Sequence, residues 1–324
     1  MFMIHVSELR KVYTSYERGS SFGEALLSLF VRKKKTIEAV KGISFDIEEG
    51  ELVGFLGPNG AGKSTTIKIL TGILYPTSGK VDVMGYTPWK ERKKYVRHIG
   101  AVFGQKSQLL WDIPPLDAFC LNQAIYRIPN DEFNRTVNEM TEMLDLKDLV
   151  KKPTRQLSLG ERMKCEFIMA MLHKPPIVFL DEPTIGLDVI AKEKIRDFIR
   201  EQNKRGTTFI LTTHDLEDVE RLAKRVIVIN HGEIVFDGGM DRLKLHLGDK
   251  RTVRITTREK IKLENNGGIV VKKQASDYEM EVELDLSVVR LNEFIQRINE
   301  ESKIRDLSVE GPELEEIIKK LYTA

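Results

Sequence analysis

Cysteine is scarce in this 324-residue chain, with only Cys120 and Cys165, far apart in sequence. That spacing matches no metal-ligand pattern, and one pair builds no disulfide framework, so two free, buried thiols in a reducing compartment are expected. An excess of one charge sign is missing too. Fifty-one Lys and Arg face 49 Asp and Glu, a net of +2, too little for strong bulk attraction to a phosphate backbone, so no nucleic acid is expected as a partner. Long apolar runs are also absent. Stretches such as Val226 to Ile229 fall far short of the ~20 residues a membrane-spanning helix needs. The opening MFMIHVSELR has no basic start followed by an apolar stretch, so a soluble, cytoplasmic chain is expected. No internal repeat, heptad pattern or low-complexity segment is present.

What is there suffices for about two domains at ~150 residues each. Hydrophobic residues make up 41% of the chain and charged residues 31%, a globular balance that excludes a disordered protein. Short β-rich runs alternate with longer amphipathic ones, the pattern of an α/β fold around a largely parallel sheet. Glu51 to Leu56, Val102 to Phe103, Ile177 to Leu180 and Thr207 to Thr213 read as strands, several apolar enough to be buried on both faces. From about 106 to 175 the pattern is helical, with Asp131 as the expected N-cap of a segment running to about Leu144.

Past Gly238 and Gly239 the composition shifts, and a second, small α+β domain is expected over 245–324, leaving 1–240 as the first domain. Asn265-Asn266-Gly267-Gly268 marks a turn between two strand-like runs. Tyr278, Met280, Val282 and Leu284 alternate as in a half-buried strand. Leu291, Phe294, Ile295 and Ile298 follow helical spacing, as do Leu314, Ile317, Ile318 and Leu321. Within the first domain, residues at about 16–36 form an amphipathic insert: Phe22, Leu26, Leu29 and Phe30 share a helical face, and Arg32-Lys33-Lys34-Lys35 follows.

The chemistry is concentrated in a few motifs. Gly57-Pro58-Asn59-Gly60-Ala61-Gly62-Lys63-Ser64 follows a strand and opens a helix, fitting the phosphate-loop pattern of G, four residues, then G-K-[ST]. Glycines let successive backbone N–H groups close around phosphate oxygens while the helix directs its positive end at them. Lys63 would pair the β and γ phosphates, and Ser64 would offer its hydroxyl to Mg²⁺. Ile177 to Leu180 ends in two acids: Asp181 suits the surroundings of Mg²⁺, and Glu182 could accept a proton from an attacking water. Gln105 follows one strand and His214 another, placing both at the carboxyl edge of the sheet where nucleotides bind in α/β folds. Ser158-Leu159-Gly160-Glu161 is a capping-box pattern that starts a helix towards Leu172 and leaves a second exposed helix N-terminus.

These motifs, with Gly186-Leu187-Asp188, occur over about residues 4 to 240 in the order seen in ATP-binding cassette (ABC) ATPases, which the chain therefore resembles. The resemblance implies a P-loop NTPase fold of the ABC type with a helical subdomain, ATP and Mg²⁺ as ligands, and a head-to-tail pair of cassettes, a homodimer or a pairing with another ABC ATPase subunit. In that arrangement the phosphate loop of one subunit, with Thr65 next to it, and Ser158 and Gly160 of the other would sandwich ATP. It also implies that Tyr13 stacks on adenine, Gln105 senses Mg²⁺ and the membrane partner, His214 contacts the γ-phosphate and Asp188 bridges the two sites. The usual signature reads Leu-Ser-Gly-Gly-Gln; here Leu159 and Glu161 depart from it.

The segment Gly104 to Asp112, followed by Ile113-Pro114-Pro115, looks like the loop of efflux-type ABC ATPases whose membrane subunits are separate polypeptides, such as drug and sodium exporters. An exporter ATPase at the cytoplasmic face of the membrane, with an integral membrane subunit as partner, is the leading expectation. An importer ATPase, or a soluble ABC ATPase acting on DNA or ribosomes, is the alternative.

Overall fold

A computed structural model describes residues 2–16, 34–104, 106–213, 215–245, 250–310 and 321–322. Gln105, His214, most of the insert at 16–36 and the Leu314 to Ile318 run lie outside the described residues. The chain divides into two compact units, Met1–Asp237 and Gly238–Ala324, a boundary ahead of position 245.

In the first unit, β1 (Phe2–Tyr16) and β2 (Lys34–Glu48) form a long antiparallel ladder. Tyr13 pairs with Ile37 and Tyr16 with Lys34, so both ends of the expected insert belong to strands. The stretch around the glycine-rich loop is built from β3 (Leu52–Leu56), α1 (Lys63–Leu70), β4 (Ser78–Val83), α2 (Arg92–Tyr95) and β5 (Ile99–Phe103). The helical stretch follows as α3 (Pro115–Tyr126), α4 (Asn130–Met143) and α5 (Leu159–Met171). Asp131 does not cap α4: the helix starts one residue earlier, with Pro129 at the N-cap and Asp131 in the acidic first turn. The fixed φ of proline suits a helix entry. The unit continues with β6 (Ile177–Asp181), α6 (Val189–Lys204), β7 (Thr208–Thr213), α7 (Leu216–Leu222), β8 (Arg225–Asn230) and β9 (Glu233–Gly239).

Six strands form one sheet in the order β5-β6-β7-β3-β8-β9. The pairs β5·β6, β6·β7, β3·β7 and β3·β8 are all parallel, as expected for near-continuous apolar runs buried on both faces. Their carboxyl ends therefore share one edge, where Gly57, Gly104, Asp181 and Thr213 sit side by side. A second sheet, β2-β1-β4, contributes Ile4, Val6, Leu9, Phe45 and Ile47 to the same core as Phe55, Ile67 and Phe179.

The second unit holds α8 (Met240–Leu245), β10 (Lys250–Thr257), β11 (Ile269–Ser276), β12 (Glu279–Asp285), α9 (Leu291–Ser302) and β13 (Ile304–Glu310). Its antiparallel sheet has the order β11-β12-β10-β13. Met280, Val282 and Leu284 point into a small core with Phe294 and Ile298, whereas Tyr278 precedes the strand and is half exposed. The run ahead of Asn265 is irregular and not a strand, although its Ile261 is buried. Among the described residues, no helix is long and apolar enough to cross a membrane.

Candidate functional site: a phosphate loop at the sheet edge

The loop between β3 and α1 turns back on itself and is pinned from behind. Gly232, in the β8–β9 turn, donates its N–H to the Ala61 carbonyl at 2.9 Å. Gly62, the N-cap of α1, has φ +112°, and a Cβ there would stand 2.5 Å from the Ala39 carbonyl, so no other residue fits without moving β2. Gly57, Ala61 and Gly62 are buried, while Asn59 and Gly60 at the tip are exposed and Ser64 and Thr65 are half-buried. Lys63 is only 4% exposed. Its ammonium donates to the carbonyls of Gly57 at 2.6 Å and Pro58 at 3.1 Å, which hold it inside the curl of the loop. Burial pushes its pKa below the usual lysine value, opposed by the nearby Glu182 and Asp181 carboxylates.

Ser64 donates its hydroxyl to Asp181 Oδ1 at 2.9 Å, and Thr212, from the neighbouring strand β7, donates to the same oxygen at 2.6 Å. The Thr212 contact was missed in the sequence, where its one signal is a pair of threonines following the apolar Phe209-Ile210-Leu211. Glu182 has φ +53°, a left-handed backbone that costs a non-glycine residue roughly 1–2 kcal/mol. Its N–H donates to the Thr212 carbonyl at 2.9 Å. Asn59, Ser64, Lys68, Gly104, Asp181 and Glu182 line one cleft of about 370 Å³, so the candidate residues from β3, α1 and β6 converge. Ser64 and Asp181 supply hard oxygen donors of the kind Mg²⁺ takes. Among the described residues no group of three or more His, Cys, Asp or Glu is placed to hold a metal.

Tyr13 is not among the residues lining this cleft. It is partly exposed on β1, with the Lys11 ammonium 5.2 Å from its ring centroid. The signature residues lie on α5 and form a full capping box. Glu161 N–H donates to Ser158 Oγ at 3.2 Å, and Ser158 N–H donates to Glu161 Oε2 at 2.7 Å. Gly160 is buried; a Cβ on it would stand 2.8 Å from that of Ala191 on α6. Asp188 is the N-cap of α6, accepting from Ala191 N–H at 2.8 Å, so the signature and the Gly186-Leu187-Asp188 segment sit side by side within one subunit. Leu159 is partly exposed against Gly186.

Behind these loops lies a buried ion pair that no sequence pattern indicated. Arg196 on α6 is 1% exposed and Asp218 on α7 fully buried. Arg196 Nε donates to Asp218 Oδ1 at 2.8 Å, while Thr184, two residues past Glu182, donates to the other carboxylate oxygen. Replacing Asp218 with Ala leaves the buried guanidinium only the part-exposed carboxylates of Glu193 at 3.2 Å and Glu217 at 3.4 Å, so the variant should lose about 3 kcal/mol in denaturant unfolding, the low end for a broken buried pair. The Asp218→Asn variant, which keeps one acceptor, should lose less. Of the two thiols, Cys165 is buried and its pKa is pushed up to about 12 by desolvation, then by Glu166. Cys120, expected to be buried, is exposed on α3, where no apolar periodicity fixed its face.

Comparison with known proteins agrees with this geometry. The sequence profile of the ABC transporter family matches residues 40–185. The ABC transporter ATP-binding protein NatA of Bacillus subtilis (strain 168) is 30% identical over 214 residues, spanning 66% of this chain and 87% of that protein. The linearmycin resistance ATP-binding protein LnrL of the same organism is 30% identical over 295 residues, 88% of this chain and 93% of that protein. Among solved structures, the dimeric post-hydrolysis state of the ATP-binding cassette MJ0796 bound to ADP and Pi aligns with a TM-score of 0.61 and 27% identity, covering 74% of this chain and 99% of that one. The chain belongs to the ABC transporter ATP-binding family and is an ABC ATPase.

Proposed function

We propose that this chain is the ATP-hydrolysing subunit of an efflux-type ABC transporter, working as a head-to-tail dimer at the cytoplasmic face of the membrane with separate integral membrane subunits. The observation that carries the ATPase assignment is the cleft shared by Ser64, Asp181 and Glu182, with the Lys63 ammonium held beside those two carboxylates in the curl of the phosphate loop. Lys63 would leave the Gly57 and Pro58 carbonyls for the β and γ phosphates of ATP, the stronger acceptors. Gly57 to Thr65 wraps the phosphates with backbone N–H groups. Ser64 and Asp181 hold Mg²⁺, which when bound neutralises charge on the phosphate oxygens. Glu182 takes the proton of the attacking water, and Ser158 and Gly160 of a second subunit close over the γ-phosphate. Gln105 and His214 would complete the site, with Tyr13 at the adenine and Asp188 linking the two halves. The second unit would stabilise or regulate the pair without joining the chemistry.

Two observations support export. Relatives matched over most of this chain or a large part of it are named for resistance to linearmycin and daunorubicin. Leu110 and Trp111, in the loop after β5, are 54% and 55% exposed, a pair of large apolar side chains that invites a partner surface. In a Cys120→Ser background, which removes the exposed thiol, a cysteine replacing Trp111 should cross-link to an integral membrane protein. Buried Cys165 would stay unreactive. Purely intramolecular products with the membrane subunit present would refute the contact.

A further inference from the structure

Glu166 has no part in the chemistry above, yet its carboxylate is almost wholly buried, with the residue 4% exposed. It sits one turn beyond Arg162 on α5, the helix that Ser158 caps. Burying a carboxylate is costly unless hydrogen bonds replace its hydration. One oxygen is fully supplied. Oε1 accepts from Ser107 Oγ at 2.5 Å, Gln108 N–H at 2.7 Å and Leu109 N–H at 3.3 Å. These are three consecutive residues of the loop leaving β5. The other oxygen, Oε2, is buried with no hydrogen-bond partner among the described residues, as is Arg162 Nε. Desolvation raises the carboxyl pKa against the pull of the three hydrogen bonds and Arg162.

The rest of the loop is fastened to the same stretch of chain. The Arg162 guanidinium lies 5.0 Å from the centre of the Trp111 ring. Arg155 N–H donates to the Trp111 carbonyl at 3.0 Å, Thr154 N–H to the Ile113 carbonyl at 3.1 Å, and Arg155 pairs with Asp112 at 2.7 Å. Towards the sheet the attachments are different ones: Gly104 N–H to the Asp181 carbonyl at 2.9 Å and Gln108 Nε2 to the Ala101 carbonyl at 2.8 Å. The loop therefore has one root in the strand edge that carries Asp181 and its tip bound to the segment around Ser158. At the centre of the second set, the Glu166 carboxylate makes the only charged hydrogen bonds to the loop's backbone N–H groups among the described residues.

We propose that Glu166 is a positioning residue that fastens the Ser107–Leu109 turn to the Ser158 helix, so that the exposed Leu110–Trp111 tip moves with that helix when ATP is bound between two subunits. The inference rests on the ATPase dimer proposed above. It differs from a purely structural role in one respect: the carboxylate carries a displacement from the signature helix to the loop.

The test uses the full chain with Trp89→Phe, which leaves Trp111 as the sole tryptophan; Trp89 packs partly buried against the core, where phenylalanine keeps apolar contact. Mg-ATP is titrated while Trp111 emission is recorded, and ATP affinity is measured separately by calorimetry. In the Trp89→Phe parent, ATP should shift Trp111 emission. Glu166→Ala should cut that amplitude about fivefold or more while ATP affinity changes by no more than about twofold. Glu166→Gln retains an acceptor oxygen for the three donors and should restore most of the response. Should Glu166→Ala fold poorly, Ser107→Ala removes one donor to the carboxylate and, with it, the Oγ that accepts from Leu109 N–H at 3.1 Å, so the readout is Gln108, whose N–H Ser107 does not touch and whose amide exchange should then quicken about tenfold. An undiminished response in Glu166→Ala, unchanged exchange in Ser107→Ala, or ATP binding without any Trp111 response in the parent would overturn the proposal. A parent that binds no ATP would instead bring down the functional reading on which it rests.

Discussion

A Lys63→Ala variant should bind ATP about ten- to a hundredfold more weakly, the worth of one or two charge-assisted hydrogen bonds to phosphate, and should show no measurable turnover. The ammonium is buried in the curl of the phosphate loop, 2.6 Å from the Gly57 carbonyl. Lys68 and Lys106 line the cleft that holds Ser64, Asp181 and Glu182. Desolvation lowers the Lys63 pKa while Asp181 and Glu182 hold it up, so a bound polyphosphate would further favour the charged form. A Lys63→Met variant keeps the apolar stem and removes only the charge, which separates electrostatics from loop collapse. Equilibrium titration with a fluorescent nucleotide, alongside thermal unfolding, decides the matter. ATP affinity within about twofold of wild type in Lys63→Met would remove the ammonium from phosphate recognition.

The parts of this site that were legible in the sequence are those written in short, local patterns. The phosphate loop, the strand-terminal acids Asp181 and Glu182, and the Ser158–Glu161 capping box each depend on residues within a few positions of one another; the box is closed as read, and the structure adds a hydrogen bond from Ser64 to Asp181. What was missed is long-range. Thr212 donates to a carboxylate 31 positions away, and Glu166 holds a loop 57 to 59 positions earlier. Arg196 and Asp218 find each other only because α6 and α7 pack together. No periodicity encodes such pairs, since each partner reads singly as an ordinary polar residue. At the two ends of the insert, the β1–β2 ladder takes in Tyr16, Lys34 and Lys35 by pairing across strands, which the local sequence does not signal.

Glu182→Gln should keep ATP binding and slow hydrolysis about 10²- to 10⁴-fold, the usual loss when a general base is removed. The amide has nearly the shape of the carboxylate, and the left-handed backbone at Glu182, with its N–H on the Thr212 carbonyl, stays fixed by bonds the side chain does not make. The trapped ATP should then hold two subunits together, and size-exclusion chromatography in Mg-ATP should show a dimer. Adding Ser158→Arg tests the other half of the sandwich. The capping bond from Glu161 N–H uses only a lone pair of the Ser158 hydroxyl, leaving its proton available to a phosphate oxygen of the second subunit. Arginine removes that donor and fills the space in front of the helix. Losing the cap costs only about 1 kcal/mol, so the subunit stays folded while the dimer should revert to monomer. Near-wild-type hydrolysis in Glu182→Gln would take that residue out of the mechanism. A dimer that survives Ser158→Arg would show that Leu159 and the apolar Val189 and Ile190, all exposed beside the signature, hold the subunits together without it.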